Sequence, residues 1–189
     1  MSEQRRPRRF ADFYEDALPF QMSSLPEGGM CLSDFLILWK DDPHKILMGK
    51  VNQDYDWITI GALDKASTSR ISNRWILPSS HLLLYESPFD GAKRILREQL
   101  GVDSLDLDGP RVYSEVYDAP KLDIKNHWDI EFVFVGDAKN SVSPHLLPDS
   151  SSPTSRRPWS KLEFVDVTGL KDSEFARNHQ DILAEAGFR

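Results

Sequence analysis

The sequence predicts an α/β domain in which helices pack on a mixed β-sheet. Runs typical of strands lie on both sides of one amphipathic stretch, 87–101, and the chain closes with a second amphipathic stretch. The 189 residues suffice for one domain of ordinary size, and 40% of them are apolar, enough for a core. We expect an N-terminal tail and entry segment at 1–29 and the folded domain at 30–189.

The composition narrows the classes of partner. A formal net charge of -7 argues against general nucleic-acid binding, although a small nucleotide responds to the local field alone. The single cysteine, Cys31, excludes a disulfide within the chain and fits a reducing compartment. No apolar run approaches the ~18 residues of a membrane helix. We therefore expect a cytoplasmic protein without membrane contact.

Strands dominate the first part of the chain. The runs "CLSDFLILWK" at 31–40 and "KILMGKV" at 45–51 flank the turn-forming "DDPH", which predicts a hairpin. The run "DWITIGAL" at 56–63 is interpreted as a third strand, and the polar stretch at 64–73 as a loop. "RWIL" at 74–77 is expected to be short and extended, because a proline follows it.

One helix is predicted between Ser87, a suitable N-cap, and Gly101, a C-terminal stop, with Pro88 at its first position. An apolar stripe with a spacing of four would face the sheet: Ala92, Leu96 and Leu100. A second face is formed by residues at i, i+3 and i+4: Ile95, Glu98 and Gln99. One carboxylate on a helix face is far more often solvated than a ligand.

The second half predicts strands at 111–119, 127–138 and 159–167. The stretch 139–158 between the last two is rich in Ser, Pro and Asp and is expected to be a long loop. The chain ends, over 171–189, in a predicted amphipathic helix. Its expected buried side is Phe175, Ile182, Leu183 and Ala186.

The stretch from Ser80 to Val102 resembles the Nudix box, G-x5-E-x7-R-E-U-x-E-E-x-G-U, in which U is a large aliphatic residue. Aligned without gaps, six of the nine specified positions match: Glu86, Arg94, Leu96, Glu98, Gly101 and Val102. The other three positions depart from the pattern: Ser80 replaces the glycine, and Ile95 and Gln99 replace two glutamates. The order of the flanking elements extends the resemblance over about residues 30–187.

The resemblance implies an α/β/α sandwich around a mixed β-sheet. It also implies a metal-dependent hydrolase acting on a nucleoside diphosphate linked to another group. By resemblance, Glu98 and Gln99 would hold Mg²⁺ or Mn²⁺. Arg94 would hold the box in shape through ion pairs, and Glu86 would be an auxiliary acid of the catalytic group.

The departures bear on catalysis. Ile95 cannot bind a metal, and Gln99 offers a neutral oxygen. A carboxylate ~4 Å from a dication is worth about 8 kcal/mol of gross Coulomb attraction at an effective dielectric constant of ~20. The preferred hypothesis is a protein that binds a nucleoside diphosphate derivative and whose metal-dependent hydrolysis is weakened or lost.

The alternative is an active, divergent hydrolase whose missing carboxylates come from outside the box. Asp129 and Glu131 are the candidates, although the period-two pattern otherwise places them at exposed strand positions. A protein partner and a homodimer also remain open as alternatives.

Overall fold

The structure is a computed structural model, and it describes residues 23, 25–119, 124–138 and 157–189. The predicted N-terminal tail, up to residue 22, and the predicted loop, over residues 139–156, lie outside the described residues.

The described residues form a six-stranded mixed sheet. Its strands are β1 (Met30–Lys40), β2 (Asp42–Val51), β3 (Ser79–His81), β4 (Asp108–Ala119), β5 (Ile124–Asp137) and β6 (Trp159–Asp166). The order is β4-β5-β1-β2-β6, and β3 pairs with the first half of β1. β1 and β5 run parallel, whereas the other pairs are antiparallel. The predicted hairpin, the later strands and the mixed sheet are confirmed.

Four α-helices accompany the sheet in the described part of the chain: α1 (Ile58–Gly61), α2 (Lys65–Ile71), α3 (Pro88–Leu100) and α4 (His179–Glu185). α3 has the predicted ends. The Ser87 hydroxyl accepts a hydrogen bond from the backbone N–H of Asp90, and Gly101 closes the helix at a φ of 66°. A left-handed φ of this kind favours glycine.

Two predictions for residues 56–73 are wrong. The expected strand at 56–63 contains α1, because Trp57, Ile60 and Leu63 bury their side chains at a spacing of three, whereas Ile58 is exposed. The expected loop at 64–73 contains α2, which Asp64 caps by accepting from the backbone N–H of Ser67 at 2.7 Å.

Two further predictions need correction. The sequence did not indicate β3, whose three residues lie between Pro78 and the loop before α3. The closing helix is shorter than predicted, because a 3₁₀ turn (Asp172–Glu174) and the left-handed residues Arg177 and Asn178 precede α4. Its predicted buried side is confirmed.

The two faces of the sheet carry separate apolar clusters. Leu36 and Phe134 belong to the cluster that includes the residues of α3, whereas Ile37 and Val133 belong to the cluster that includes those of α4. We call these the α3 face and the α4 face. Because strand side chains alternate, each residue of β1 and β5 can be assigned to one of them.

Candidate functional site

A buried ion pair holds the loop before α3 against the helix. Arg94 donates from Nε to Glu86 Oε1 and from an Nη to Glu86 Oε2, each at 2.8 Å. The two side chains are 8% and 11% exposed. This two-point contact raises the pKa of Arg94 and lowers that of Glu86, since each charge stabilises the other.

The same guanidinium binds β3. Arg94 donates to the carbonyl oxygen of His81 at 2.9 Å and to the hydroxyl of Ser80 at 3.3 Å. Glu86 also accepts from the backbone N–H of Leu83 at 2.9 Å. Arg94 therefore joins β3, the connecting loop and α3, which is the geometry that holding the box in shape requires. The catalytic roles of Glu86, Arg94 and Glu98 stay predictions.

Ile95 and Glu98 do not form a common ligand face. Ile95 is fully buried in the core cluster of the α3 face. Glu98 is 41% exposed and lies 3.6 Å from an Nη of Arg94, through its Oε2. A carboxylate is thus available at position 98, in contact with a guanidinium.

Gln99 turns inward. Its side chain is buried, and its amide Nε2 donates to the carbonyl oxygens of Ile60 and Ser79, at 2.8 Å each. Its amide oxygen Oε1 is buried without a hydrogen-bond partner among the described residues. The end of Gln99 that faces the two carbonyls is therefore a donor, whereas a metal requires oxygen acceptors.

The donor set does not fit Mg²⁺ or Mn²⁺. Within the described ranges, no group of three or more His, Cys, Asp or Glu side chains is arranged to hold a metal ion. On α3, the Glu98 carboxylate is in contact with the Arg94 guanidinium, and the Gln99 NH₂ group donates to two backbone carbonyls. The assignment of Glu98 and Gln99 as metal ligands stays a prediction, and the geometry of Gln99 speaks against it.

Asp34 is a buried acid that the sequence analysis missed. It lies in β1 on the α3 face, is fully buried, and neither carboxyl oxygen has a hydrogen-bond partner among the described residues. The pKa of Asp34 is raised to about 8, mainly by burial and also by the Glu86 carboxylate, while the Arg94 guanidinium opposes the shift. Asp34 is therefore mostly neutral at pH 7.

Asp129 and Glu131 occupy other positions than expected. Both are buried, which contradicts their expected exposure. They alternate with Phe132 in β5 and share the side of Val133, which places them on the α4 face, opposite α3. They therefore lie across the sheet from Glu98.

These acids belong to a polar group on the α4 face. We call it the α4-face cluster: Ser33, His81, Glu115, Asp129 and Glu131. The Ser33 hydroxyl donates to Asp129 Oδ1 at 2.9 Å. Burial lowers the pKa of His81, and Arg177 lowers it further. Arg177 is exposed and acts on the charge of His81, so an exposed guanidinium borders the cluster.

Solved structures resemble this fold over most of the chain. A mutT/nudix family protein from Listeria innocua superposes with a TM-score of 0.52 at 17% identity, over 85% of this chain and 92% of that one. The MutT protein from Methanosarcina mazei Go1 gives a TM-score of 0.52 at 14% identity, over 84% and 94%. The protein has the Nudix fold.

A third neighbour with this Nudix fold carries a ligand. The NUDIX domain of Shewanella oneidensis NrtR, complexed with ADP ribose, superposes with a TM-score of 0.51 at 11% identity, over 83% of this chain and 86% of that one. No protein-family model and no curated protein matches the sequence. No helix in the described part of the chain is long and apolar enough to cross a membrane.

On this Nudix fold, the stretch that resembles the Nudix box has the local features that the sequence analysis expected around α3. The caps of α3, the apolar stripe and the pair formed by Glu86 and Arg94 are in place. The residues that sequence reasoning missed, such as Asp34, Ser33 and Glu115, lie in strands without a motif. Their signal is a polar residue in an otherwise apolar strand, and its meaning depends on which face the strand presents.

Proposed function

We propose that the protein binds a nucleoside diphosphate derivative and that its metal-dependent hydrolysis is weakened or lost. The observation that carries this proposal is the orientation of Gln99, whose NH₂ group is hydrogen-bonded to two backbone carbonyls. Ile95 lies in the core, and Glu86 is taken up by its ion pair with Arg94. Glu98 is then the one remaining carboxylate at a position of the predicted box.

The α4-face cluster supports the binding half of the proposal. A carboxylate oxygen can accept hydrogen bonds from ribose hydroxyls or base N–H groups, and Asp129 and Glu131 supply two buried carboxyl groups. The exposed Arg177 offers a guanidinium that suits a phosphate. A neighbour of the same fold is complexed with ADP ribose, which is a ligand of this class.

Binding and turnover are measured separately. We expect ADP-ribose, or another nucleoside diphosphate derivative of a panel, to bind in isothermal titration calorimetry, and the Kd to be the same in EDTA and in Mn²⁺. We expect no product when the same panel is incubated with Mg²⁺ or Mn²⁺. Turnover that Glu98→Gln abolishes would establish the alternative, an active divergent hydrolase.

Two matched carboxylate variants locate the ligand. Asp129→Asn removes a charge on the α4 face, and Glu98→Gln removes one on α3, each with little change of volume. We expect Asp129→Asn to raise the Kd about tenfold, corresponding to roughly 1.4 kcal/mol, and Glu98→Gln to leave it unchanged. The reverse pattern would place the ligand at α3 and contradict the assignment to the α4-face cluster.

A further inference from the structure

The junction between α1, β3 and α3 depends on one side-chain amide. Ile60 lies in the four-residue helix α1 and Ser79 begins β3, and the Gln99 NH₂ group donates to the backbone oxygens of both. A third bond strengthens the same place, because the Trp159 indole N–H donates to the backbone oxygen of Gln99 at 2.8 Å. Residues of α1, β3 and β6, which are far apart in the chain, therefore meet α3 at position 99.

The Gln99 amide has a defined orientation. If its oxygen and nitrogen were exchanged, three oxygen acceptors would face one another in a buried site. A buried amide left without hydrogen bonds costs about 1–3 kcal/mol, so the donor must point at the carbonyls of Ile60 and Ser79. Those two oxygens thus require either a hydrogen-bond donor or a cation as their partner.

Carbonyl and carboxylate oxygens are the ligands that Mg²⁺, Mn²⁺ and Ca²⁺ prefer. Two carbonyl oxygens are present at this junction, and the side chain at position 99 determines whether a hydrogen-bond donor or a metal ion contacts them. A glutamate there would add an anion to two acceptors, which is unfavourable unless a cation or a proton comes with it. Glutamine supplies two N–H donors and no charge.

We propose that the Gln99 amide takes the place of a divalent cation in this chain. Its NH₂ group, held between the carbonyl oxygens of Ile60 and Ser79, lets α1, β3 and α3 meet without metal. A carboxylate at position 99 converts the same oxygens into a cation site. Residue 99 thus decides whether the junction of α1, β3 and α3 is held by an amide or by a metal ion. The inference stands apart from ligand binding, and its test needs no nucleotide.

The test compares thermal unfolding midpoints in EDTA and in excess Mn²⁺ for three chains: the wild type, Gln99→Glu and Gln99→Met. We expect the wild-type midpoint to be the same in both buffers. Gln99→Glu should unfold at a lower temperature in EDTA and regain about 5–10 °C in Mn²⁺ at roughly 100 times its Kd. Gln99→Met keeps the volume and removes the donors, so it should be destabilised equally in both buffers.

Four outcomes would overturn the proposal. One is a wild-type midpoint that Mn²⁺ raises as much as that of Gln99→Glu. The second is a folded Gln99→Glu protein that responds to neither Mn²⁺, Mg²⁺ nor Ca²⁺. The third is stabilisation of Gln99→Glu by acid alone, which would mean that a proton fills the place. The fourth is a Gln99→Met protein as stable as the wild type.

Gln99→Glu could fail to fold in the chelator, and the experiment then becomes a refolding assay. Recovery of the wild-type far-ultraviolet circular dichroism on addition of Mn²⁺ supports the proposal, and no recovery with any of the three cations contradicts it. A Glu98→Gln change in the Gln99→Glu background serves as a further control. It should leave the response to Mn²⁺ in place, because the cation is held mainly by position 99 and the two carbonyls.

Discussion

Gly91 in α3 packs directly against the carboxyl group of Asp34 in β1. A Cβ built at position 91 would overlap Asp34 Oδ2 and would lie 2.6 Å from Leu82 Cδ2. Gly91 lies in the first turns of the helix at an ordinary helical position, so its role is to admit this close approach. Asp34 and α3 therefore pack at a distance that leaves no room for a side chain at position 91.

Gly91→Ala should therefore destabilise the protein. Alanine is favoured over glycine by about 1 kcal/mol inside a helix, but overpacking a closed site costs typically about 1–3 kcal/mol. We expect a net loss of about 1 kcal/mol in the free energy of unfolding, measured by urea denaturation. Lys93→Ala, at an exposed position of the same helix, should change it by less than about 0.5 kcal/mol. A Gly91→Ala protein more stable than the wild type would contradict the close approach.

Asp34 should make the stability fall as the pH rises. The folded protein holds the Asp34 proton up to pH about 8, whereas the model value of an aspartate is 3.8. The folded state thus binds more protons than the unfolded state between these values, and the free energy of unfolding decreases through this window. The limiting slope is about 1.4 kcal/mol per pH unit.

Asp34→Asn isolates this contribution, because it keeps the shape and removes the titration. Urea unfolding of both proteins is measured between pH 5 and 8. As the pH rises, the free energy of unfolding of the wild type should fall relative to that of the variant by up to about 1.4 kcal/mol per pH unit. Glu86 does not confuse the comparison, since its pKa lies below the model value of 4.5, and its contribution is lost only at more acidic pH. Two parallel curves would show that Asp34 does not carry this proton.

Breaking the ion pair between Glu86 and Arg94 should be costly from either side. Because both side chains are largely buried, Glu86→Gln or Arg94→Met leaves a charge without its partner, at about 3–5 kcal/mol each. The double variant should lose less than the sum of the two, by about 1–3 kcal/mol. Arg94→Lys should not rescue stability, because lysine cannot make the two-point contact.

The pair formed by Lys161 and Glu163 provides the control for that cycle. Its atoms are 2.7 Å apart, but its side chains are 52% and 42% exposed. Glu163→Gln should cost less than about 1 kcal/mol. Equal costs for Glu86→Gln and Glu163→Gln would mean that the box ion pair contributes no more than a surface contact.

The parts of the fold that the sequence predicts well are those with local signals. Ser87 and Gly101 mark the ends of α3 because capping and a left-handed φ depend on adjacent residues alone. α1 was mistaken for a strand because the aromatic and β-branched run after Asp56 has strand propensity, and packing on the core overrides it. α2 was mistaken for a loop because its residues are polar, although Asp64 caps it. Propensity is weak evidence where an element is only four residues long.

The candidate site was harder to predict because it depends on side-chain direction. A box alignment places Gln99 beside Glu98, but the two side chains point to different environments, one to backbone carbonyls and one towards solvent. The same alignment does not include Asp34, which lies in β1 and meets α3 at Gly91 only in the folded chain. Asp129 was misjudged because alternation gives the face of a strand but not what covers it.

Restoring the glutamate at position 95 should unfold the protein and should not rebuild a metal site. Ile95 has no exposed surface and lies among the apolar residues of the α3 face, so Ile95→Glu would bury a carboxyl group without a partner. We expect a loss above about 4 kcal/mol in the free energy of unfolding, against about 1 kcal/mol for Ile95→Val. Arg97→Glu, at an exposed position two residues along α3, is the control for adding an acid near the end of the helix and should cost about 1 kcal/mol or less. The prediction is wrong if Ile95→Glu folds with wild-type stability and Mn²⁺ stabilises it further. A side chain at position 95 could then reach a cation, and the packing of α3 would not be what prevents a metal site there.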